Sequence, residues 1–208
     1  MSKVTVLKHP LIDHKMSQVR NVHTNTKAFR ETVSEIGALI TYEITRDFKT
    51  KPINIETPMA KMTAYELEKP VVIVPILRAG LGMVDGIHNI IPTAKIGHIG
   101  LYRDEETLEP KAYYQKFPKT IQESVVLVVD PMLATGGSAS YAIQVLKAAN
   151  VKDIRYVGLV GCPEGVQRLQ EDHPDVSIYL AALDEKLDDN GYIVPGLGDC
   201  GDRLFGTK

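Results

Sequence analysis

The chain has 208 residues, 44% of them hydrophobic, and a formal net charge of −2 at pH 7. This length predicts one domain, residues 1–208, and the charge argues against a nucleic acid or an anionic membrane as partner. No apolar run approaches membrane-spanning length, and the N-terminus is too polar for a signal peptide. The two cysteines lie far apart and the six histidines lack ligand spacing. We therefore expect a cytoplasmic protein without a disulfide framework or a metal cage.

The first ninety residues predict strands and helices in alternation. Residues 4–7 are predicted as a strand or an ordered arm. Apolar residues recur every three or four positions over 29–48, which predicts an amphipathic helix of about five turns. The elements predicted next are a half-buried strand at 53–57, a short helix at 59–67, a buried strand at 71–76 and a helix at 83–90.

The stretch VVLVVDPMLATGGS, residues 125–138, predicts a strand, a turn and a helix. Its apolar run fits a strand buried on both faces, and Pro131 ends that strand. Gly136 and Gly137 then open a helix whose unpaired N–H groups would suit a phosphate, although glycine also serves turns that need a positive φ. Asp130 at the strand end can accept hydrogen bonds from vicinal sugar hydroxyls. The turn therefore suits a ribose 5-phosphate.

A second turn of the same kind follows the strand at 71–76. Arg78, Ala79 and Gly80 stand between that strand and the next helix, and an arginine can contact phosphate oxygens with two prongs. An arginine at a strand end is by itself more often a surface charge. Parallel sheets collect ligand sites at the carboxyl ends of their strands, so two such turns favour a joint site.

The stretch that follows the predicted strand at 96–101 is long, polar and charged, and it contains Tyr113 and Tyr114. We interpret it as a hairpin-like flap that closes over a substrate, with a disordered surface insertion as the alternative. A strand at 154–160, a helix at 166–171 and a strand at 176–182 complete an α/β pattern. That alternation predicts a mostly parallel sheet with right-handed crossovers.

The C-terminal segment, GYIVPGLGDCGDRLFGTK, is rich in glycine and has no long periodic face. A frayed tail is the common fate of a terminus, but this segment is too apolar for one. Closely spaced glycines allow the backbone to approach a flat ligand. A pyrimidine offers a carbonyl–NH–carbonyl edge that such a backbone can match.

Four blocks in order, VPILRAGLGMVDG, LYRDEETLEP, VVDPMLATGGS and YIVPGLGDCGDRLFGTK, resemble the uracil phosphoribosyltransferase family. The resemblance implies the type I phosphoribosyltransferase fold, a central mostly parallel sheet flanked by helices, with a flap hairpin and a C-terminal base-binding segment. It implies transfer of phosphoribosyl from phosphoribosyl diphosphate (PRPP) to uracil, giving UMP and diphosphate in pyrimidine salvage. It also implies Mg²⁺ carried with PRPP, a homodimer or tetramer, and activation by GTP.

The resemblance also implies roles for particular residues. Arg78 and Arg103 are expected at the diphosphate of PRPP, and Asp199 near both PRPP and the base, where it is the catalytic candidate that influences the uracil proton. The loop expected at the ribose and the 5-phosphate consists of Asp130, Pro131, Met132, Leu133, Ala134, Thr135, Gly136, Gly137 and Ser138. The residues expected at uracil are Ile193, Gly198, Asp199 and Cys200. Alanine is usual where Cys200 stands, and many relatives carry a second acid in place of Pro131.

Two alternatives remain at this point. A regulatory protein with the same fold would bind RNA, which the net charge disfavours. An enzyme of the same fold would use another base, such as a purine or orotate. The carboxylate of orotate would call for a cation, and the base segment has none before Arg203.

Overall fold

The computed structural model describes residues 3–103 and 110–207, with the backbone alone at positions 103 and 110. The strands are β1 Val4–Val6, β2 Thr50–Glu56, β3 Lys61–Leu67, β4 Val71–Leu77, β5 Lys95–Ile96, β6 His98–Arg103, β7 Pro110–Lys116, β8 Val125–Val129, β9 Met132–Leu133, β10 Asp153–Gly161, β11 Ser177–Leu183, β12 Lys186–Leu187 and β13 Ile193–Val194. The helices are α1 Pro10–Arg20, α2 Thr26–Ile44, α3 Leu81–Ile90, α4 Gly137–Ala148, α5 Pro163–Asp172 and α6 Cys200–Phe205.

The central sheet has the strand order β1-β11-β10-β8-β4-β6-β7, with β5 beside β4 and β9 beside β10. Its pairings are parallel except that of β7, which runs antiparallel to β6. Strand β8 lies in the middle, and all five of its side chains are buried. A continuous apolar run is what a strand covered on both faces requires.

Helices cover both faces of this sheet, and alternate residues of each strand point to opposite layers. In β8, Leu127 packs into the layer formed with α1, α2, α3 and α6, while Val126 and Val128 pack with α4 and α5. Helices α2 and α3 cross closely, since a Cβ on Gly86 would lie 1.8 Å from the carbonyl oxygen of Ser34. These layers confirm the predicted fold class.

In the N-terminal part, some elements were predicted as the correct type of secondary structure and others were not. β1 is a strand that pairs with β11, and α2 ends at Ile44 rather than at 48. The predicted helix at 59–67 was wrong, because β3 forms an antiparallel hairpin with β2. Strand β2 is also less buried than predicted, with Ile53 alone half-buried. Within residues 3–103 and 110–207, no helix is both long enough and apolar enough to cross a membrane.

The flap prediction was correct where the structure describes it. β6 and β7 form an antiparallel hairpin with an irregular register between Gly100 and Leu101. Residues 104–109, which belong to the predicted flap, lie outside the described residues.

Candidate active site

The carboxyl ends of β4 and β8 bring two predicted turns together. The strands pair in parallel, with Pro75 opposite Val129. Gly80 makes the close approach possible, because a Cβ there would lie 2.4 Å from the carbonyl oxygen of Val129. The turn that carries Arg78 therefore packs directly against the strand that ends at Asp130. This arrangement follows from the parallel pairing and was predicted from it.

Asp130 is held at its main chain by the neighbouring strand β10. Its N–H donates to the carbonyl of Val157 at 3.1 Å, and its own carbonyl accepts from the Tyr156 hydroxyl at 3.0 Å. The carbonyl of Pro131 accepts from Leu159 and Val160, each at 3.0 Å. These contacts fix the turn and leave the Asp130 side chain at the edge of the sheet.

The Asp130 carboxyl is only partly accessible to solvent, and it accepts a long hydrogen bond of 3.4 Å from the N–H of Met132. Burial raises its pKa to about 7, and the Met132 N–H opposes that rise. The carboxyl is therefore poised between its two protonation states near neutral pH. Sugar hydroxyls or a cation placed against it would favour the charged form.

The predicted glycine turn stands at the start of α4, and we call this turn the cradle. Gly136 has a left-handed φ of 77°, which favours glycine, and α4 begins at the next residue. Gly136 has no side chain to cap the helix, so the first N–H groups of α4 face the turn. The side chains of Thr135 and Ser138 are exposed beside it. Backbone donors, two hydroxyls and the helix dipole together suit an anion.

The turn between β10 and α5 supports this cradle from behind, which sequence reasoning missed. Cys162 donates from its N–H to the carbonyl of Leu133 at 3.2 Å and from its Sγ to the carbonyl of Ala134 at 3.1 Å. Gly165 lies so close that a Cβ on it would be 2.3 Å from the same Ala134 oxygen. Both contacts join residues about thirty positions apart, so no local pattern signals them.

Arg78 reaches from the β4–α3 turn toward the C-terminal helix. One of its Nη atoms lies 3.8 Å from an Oδ of Asp202, and its guanidinium lies 5.7 Å from the ring centre of Phe205. A Cβ on Gly201 would lie within 3.8 Å of Arg78 and 3.3 Å of Asp199. More than half of the Arg78 side chain remains exposed, so it is accessible to a ligand.

The C-terminal segment is folded, so the frayed-tail alternative is wrong. Strand β13 pairs with β12, and Asp199 caps α6 by accepting from the N–H of Asp202 at 2.8 Å. The side chains of Ile193 and Cys200 are buried in the core. Any contact that these two residues make with a base therefore comes from the backbone, as expected from the glycine-rich sequence.

Cys200 lies between this segment and the turn that carries Asp130. Burial raises the pKa of its thiol, and the nearby charges of Asp130 and Asp199 raise it further. The thiol of Cys200 thus lies near the carboxylates of Asp130 and Asp199. Gly198, with a φ of 80°, forms the bend just before Asp199 and Cys200.

Arginines anchor the C-terminal segment to the N-terminal helices, which sequence reasoning also missed. Arg203 donates to the carbonyls of Val19, Leu197 and Asn21, and its guanidinium stacks 4.3 Å from the ring centre of Phe29. These contacts occupy the guanidinium of Arg203, so it is not available to pair with a carboxylate on the ligand. A further arginine, Arg30, donates to the carbonyl of Leu204 at 3.0 Å.

The role expected of Arg103 at the diphosphate stays a prediction. Its backbone ends β6, which neighbours β4 in the sheet, while its side chain lies outside the described residues. In the flap, Tyr113 packs over Gly100, where a Cβ would lie 2.5 Å from the ring. Tyr113 and Tyr114 are both exposed. Closure of the flap stays a prediction.

Comparisons with known proteins agree with the resemblance seen in the sequence. The family model described as uracil phosphoribosyltransferase matches residues 6–207. The uracil phosphoribosyltransferase of Acholeplasma laidlawii is 70% identical over 208 residues, and that of Staphylococcus aureus strain Newman is 59% identical over 209, with both chains covered completely.

Solved structures share the fold. The AQ2163 protein of Aquifex aeolicus superposes with a TM-score of 0.92 at 38% identity, covering 99% of each chain. The adenine phosphoribosyltransferase of Trypanosoma brucei, solved with AMP, pyrophosphate and ribose 5-phosphate, gives a TM-score of 0.60 at 14% identity, covering 88% of this chain and 84% of that one. The second likeness shows the fold alone.

Proposed function

The chain belongs to the uracil phosphoribosyltransferase family and transfers phosphoribosyl from PRPP to uracil in pyrimidine salvage, and we propose how its residues divide that work. One observation supports this assignment of roles: Asp130, Arg78 and the Asp199–Cys200 segment lie close together at one edge of the sheet. The whole chain, 1–208, acts as one domain, and it works in the cytoplasm.

Residues 130–138 hold the sugar. Asp130 accepts from the ribose hydroxyls, and the N–H groups that open α4 at Gly137 hold the 5-phosphate. Because this phosphate does not react, its binding energy serves to orient the anomeric carbon. The nine residues 130–138 thus position PRPP, while the groups around them carry out the remaining steps.

Arg78 and Arg103 bind the diphosphate. Charge grows on this group as its bond to the anomeric carbon breaks, so fixed cations stabilise the transition state more than the ground state. The Arg78 guanidinium is exposed toward the site and close to α6. It is therefore placed to contact both the leaving group and the segment that holds the base.

Mg²⁺ enters with PRPP in this proposal. Among the residues described, no three histidine, cysteine or acidic side chains gather as a metal site, so oxygens of PRPP and water would supply most ligands of the ion, as is common for Mg²⁺ with phosphates. When bound, it neutralises charge on the diphosphate. Asp130 is the acid nearest to the sugar, and a cation there would keep it ionised.

The C-terminal segment recognises uracil with backbone atoms. Ile193, Gly198 and Cys200 present N–H and C=O groups to the pyrimidine edge, so alanine or cysteine at position 200 serves equally well. The exposed carboxylate of Asp199 lies beside this edge and beside Arg78. We assign to it an influence on the proton that uracil loses when its ring nitrogen attacks the sugar.

A panel of bases tests the proposed substrate. The purified protein is incubated with PRPP, Mg²⁺ and uracil, orotate or hypoxanthine, and diphosphate release is followed. We expect turnover with uracil at least 100-fold above that with either other base, since neither the orotate carboxylate nor the larger purine matches a backbone-lined pyrimidine edge. Turnover only with orotate or hypoxanthine would overturn the assignment.

Repeating the uracil assay with GTP present tests whether GTP is an activating effector.

The β2–β3 hairpin supports the proposal of a homodimer or tetramer. Both of its faces are largely exposed, and it carries apolar side chains such as Ile55, Met62 and Tyr65 on its surface. An isolated two-stranded hairpin is only marginally stable in water. Contact with a second copy of this chain would bury these side chains and stabilise the hairpin.

Changing Met62 to Glu is expected to weaken the assembly. Met62 lies opposite Ile55 on one face of the hairpin, and burying a new charge there should raise the dimer dissociation constant at least about 10-fold, or 1.4 kcal/mol. Sedimentation velocity over a range of concentrations measures this. The control is Val22→Glu, which alters another exposed apolar residue outside the hairpin. A monomeric wild-type protein would contradict the proposal.

A further inference from the structure

Arg20 and Asp184 form a clamp on the backbone of Gly196. Arg20 donates from Nη1 and Nη2 to the two carboxylate oxygens of Asp184 at 2.7 and 2.6 Å. The same Nη1 donates to the carbonyl of Gly196 at 2.7 Å, and the N–H of Gly196 donates to Asp184 at 2.8 Å. The C=O and the N–H of Gly196 are thus both hydrogen-bonded to this bidentate ion pair.

The chain needs such a clamp at this point because Gly196 makes a sharp turn. Its φ is 59°, and a Cβ on it would lie 2.0 Å from the carbonyl oxygen of Ile193. The turn thus folds back on Ile193, and the N–H and C=O of Gly196 have no strand to pair with. Gly196 is also buried, so leaving its N–H or C=O without a partner would destabilise the folded turn.

The clamp joins three parts of the molecule. Arg20 is the last residue of α1, and Asp184 directly follows β11, where its N–H donates to the carbonyl of Gly161 at 2.8 Å. Gly196 lies between Ile193 and Gly198, which the proposed function places at uracil. The clamp therefore sets where the base segment stands relative to the carboxyl edge of the sheet.

Burial makes this ion pair more than a surface contact. The side chain of Asp184 is 6% exposed and that of Arg20 is 26% exposed. An exposed ion pair contributes little, whereas removing one partner of a buried, hydrogen-bonded pair leaves the other charge and its peptide partners uncompensated. A single change here should therefore move the turn.

We propose that Arg20 and Asp184 are positioning residues for the base, which set the affinity for uracil through Gly196 without touching any substrate. This rests on the proposed function, in which residues 193–200 hold uracil. The segment proposed to bind PRPP, residues 130–138, is called the PRPP loop here. It is held by other contacts, those of Cys162 and Gly165. The clamp should thus affect the two substrates unequally.

The test compares Arg20→Ala, Arg20→Lys and Asp184→Asn in steady-state kinetics with each substrate varied in turn. We expect KM for uracil to rise at least 10-fold in Arg20→Ala and Asp184→Asn, with KM for PRPP within twofold of wild type. Arg20→Lys should recover part of the loss, because an ammonium group can donate to both Asp184 and the Gly196 carbonyl. It also serves as the milder variant if Arg20→Ala fails to fold.

Asp47→Asn is the matched control. Arg155 donates to Asp47 at 2.6 Å and to the carbonyl of Ile44 at 2.7 Å, so it forms an ion pair with a backbone contact like that of Arg20. This pair lies where β10 begins, at the opposite end of the sheet from the site. Its loss should leave both KM values unchanged.

The outcomes separate the clamp from the underlying function. Wild-type protein inactive with uracil would defeat the proposed function and the clamp with it. Active wild type, combined with clamp variants whose two KM values rise equally or not at all, would refute the clamp alone. A uracil-specific rise that Arg20→Lys partly reverses, absent from Asp47→Asn, would establish it.

Discussion

Replacing Asp130 with Asn is expected to raise KM for PRPP about 50-fold at pH 8 and to increase the stability of the free protein at the same pH. The loss of affinity follows because a charged acceptor for sugar hydroxyls is removed, and such hydrogen bonds contribute roughly 2–3 kcal/mol. The residues proposed to hold uracil, 193–200, are left unchanged, so KM for uracil should change far less. Steady-state kinetics with each substrate varied measures both values.

The gain in stability follows from the raised pKa. In the folded protein the carboxyl of Asp130 has a pKa of about 7, against 3.8 for an unperturbed aspartate. The folded state therefore holds this proton more tightly, and the wild type loses stability as pH rises from 3.8 to about 7. Three pH units at about 1.4 kcal/mol each give an upper bound of about 4 kcal/mol. Asn carries no charge to bury and escapes this loss.

Thermal melts of both proteins between pH 4 and pH 8 measure the difference. The advantage of Asp130→Asn should be small at pH 4, grow up to about pH 7 and stay constant above it. Asp199→Asn is the control, since Asp199 is exposed and Asn caps a helix about as well as Asp. Unchanged PRPP kinetics in Asp130→Asn would remove Asp130 from the sugar site, and a pH-independent stability difference would contradict the burial of its charge.

The same carboxyl predicts how wild-type affinity for PRPP depends on pH. Below about pH 7 the free protein carries a protonated Asp130, and this proton must leave before the carboxylate can accept sugar hydroxyls. KM for PRPP should thus rise by up to tenfold per pH unit as pH falls from 7 to 5, until it reaches the value expected for Asp130→Asn. Asp130→Asn should show a flatter profile over this range.

The sequence predicted those elements of the candidate site that a continuous local pattern encodes. The strand that ends at Asp130, the glycine turn before α4 and the turn at Arg78 are each continuous in sequence, and parallel pairing brings them together. Contacts that support the site join distant residues. Arg20 and Asp184 are 164 positions apart, and neither stands in a pattern that marks it as different from a surface charge.

The prediction of a helix at 59–67 failed for a related reason. Met59, Met62 and Tyr65 recur every third position, which imitates a helical face. In the structure Met62 and Tyr65 point to opposite faces of the exposed hairpin, opposite Ile55 and Pro52. A strand exposed on both faces lacks the alternation that burial imposes, so local periodicity does not identify it.

Changing Gly165 to Ala is expected to impair PRPP binding although Gly165 touches no substrate. Alanine normally stabilises a helix by about 1 kcal/mol relative to glycine. In α5 the added Cβ would lie 2.3 Å from the carbonyl oxygen of Ala134 and 2.6 Å from that of Leu133. Since these are backbone atoms of the PRPP loop, the loop or the start of α5 must move by about 1 Å. A shift of that size can cost about 100-fold in activity.

We therefore expect kcat/KM for PRPP to fall 10- to 100-fold in Gly165→Ala, with the dissociation constant of PRPP, measured by calorimetry, rising in parallel. Gly191→Ala is the control: its φ of 81° strains any side chain, but a Cβ there would meet no atom within 4 Å. It should lose about 1 kcal/mol of stability and keep the kinetic constants. Wild-type PRPP binding in Gly165→Ala would show that the loop accommodates the methyl group and that α5 does not fix its position. A loss in Gly165→Ala alone would mean that the phosphate is held by a loop whose shape depends on the turn behind it.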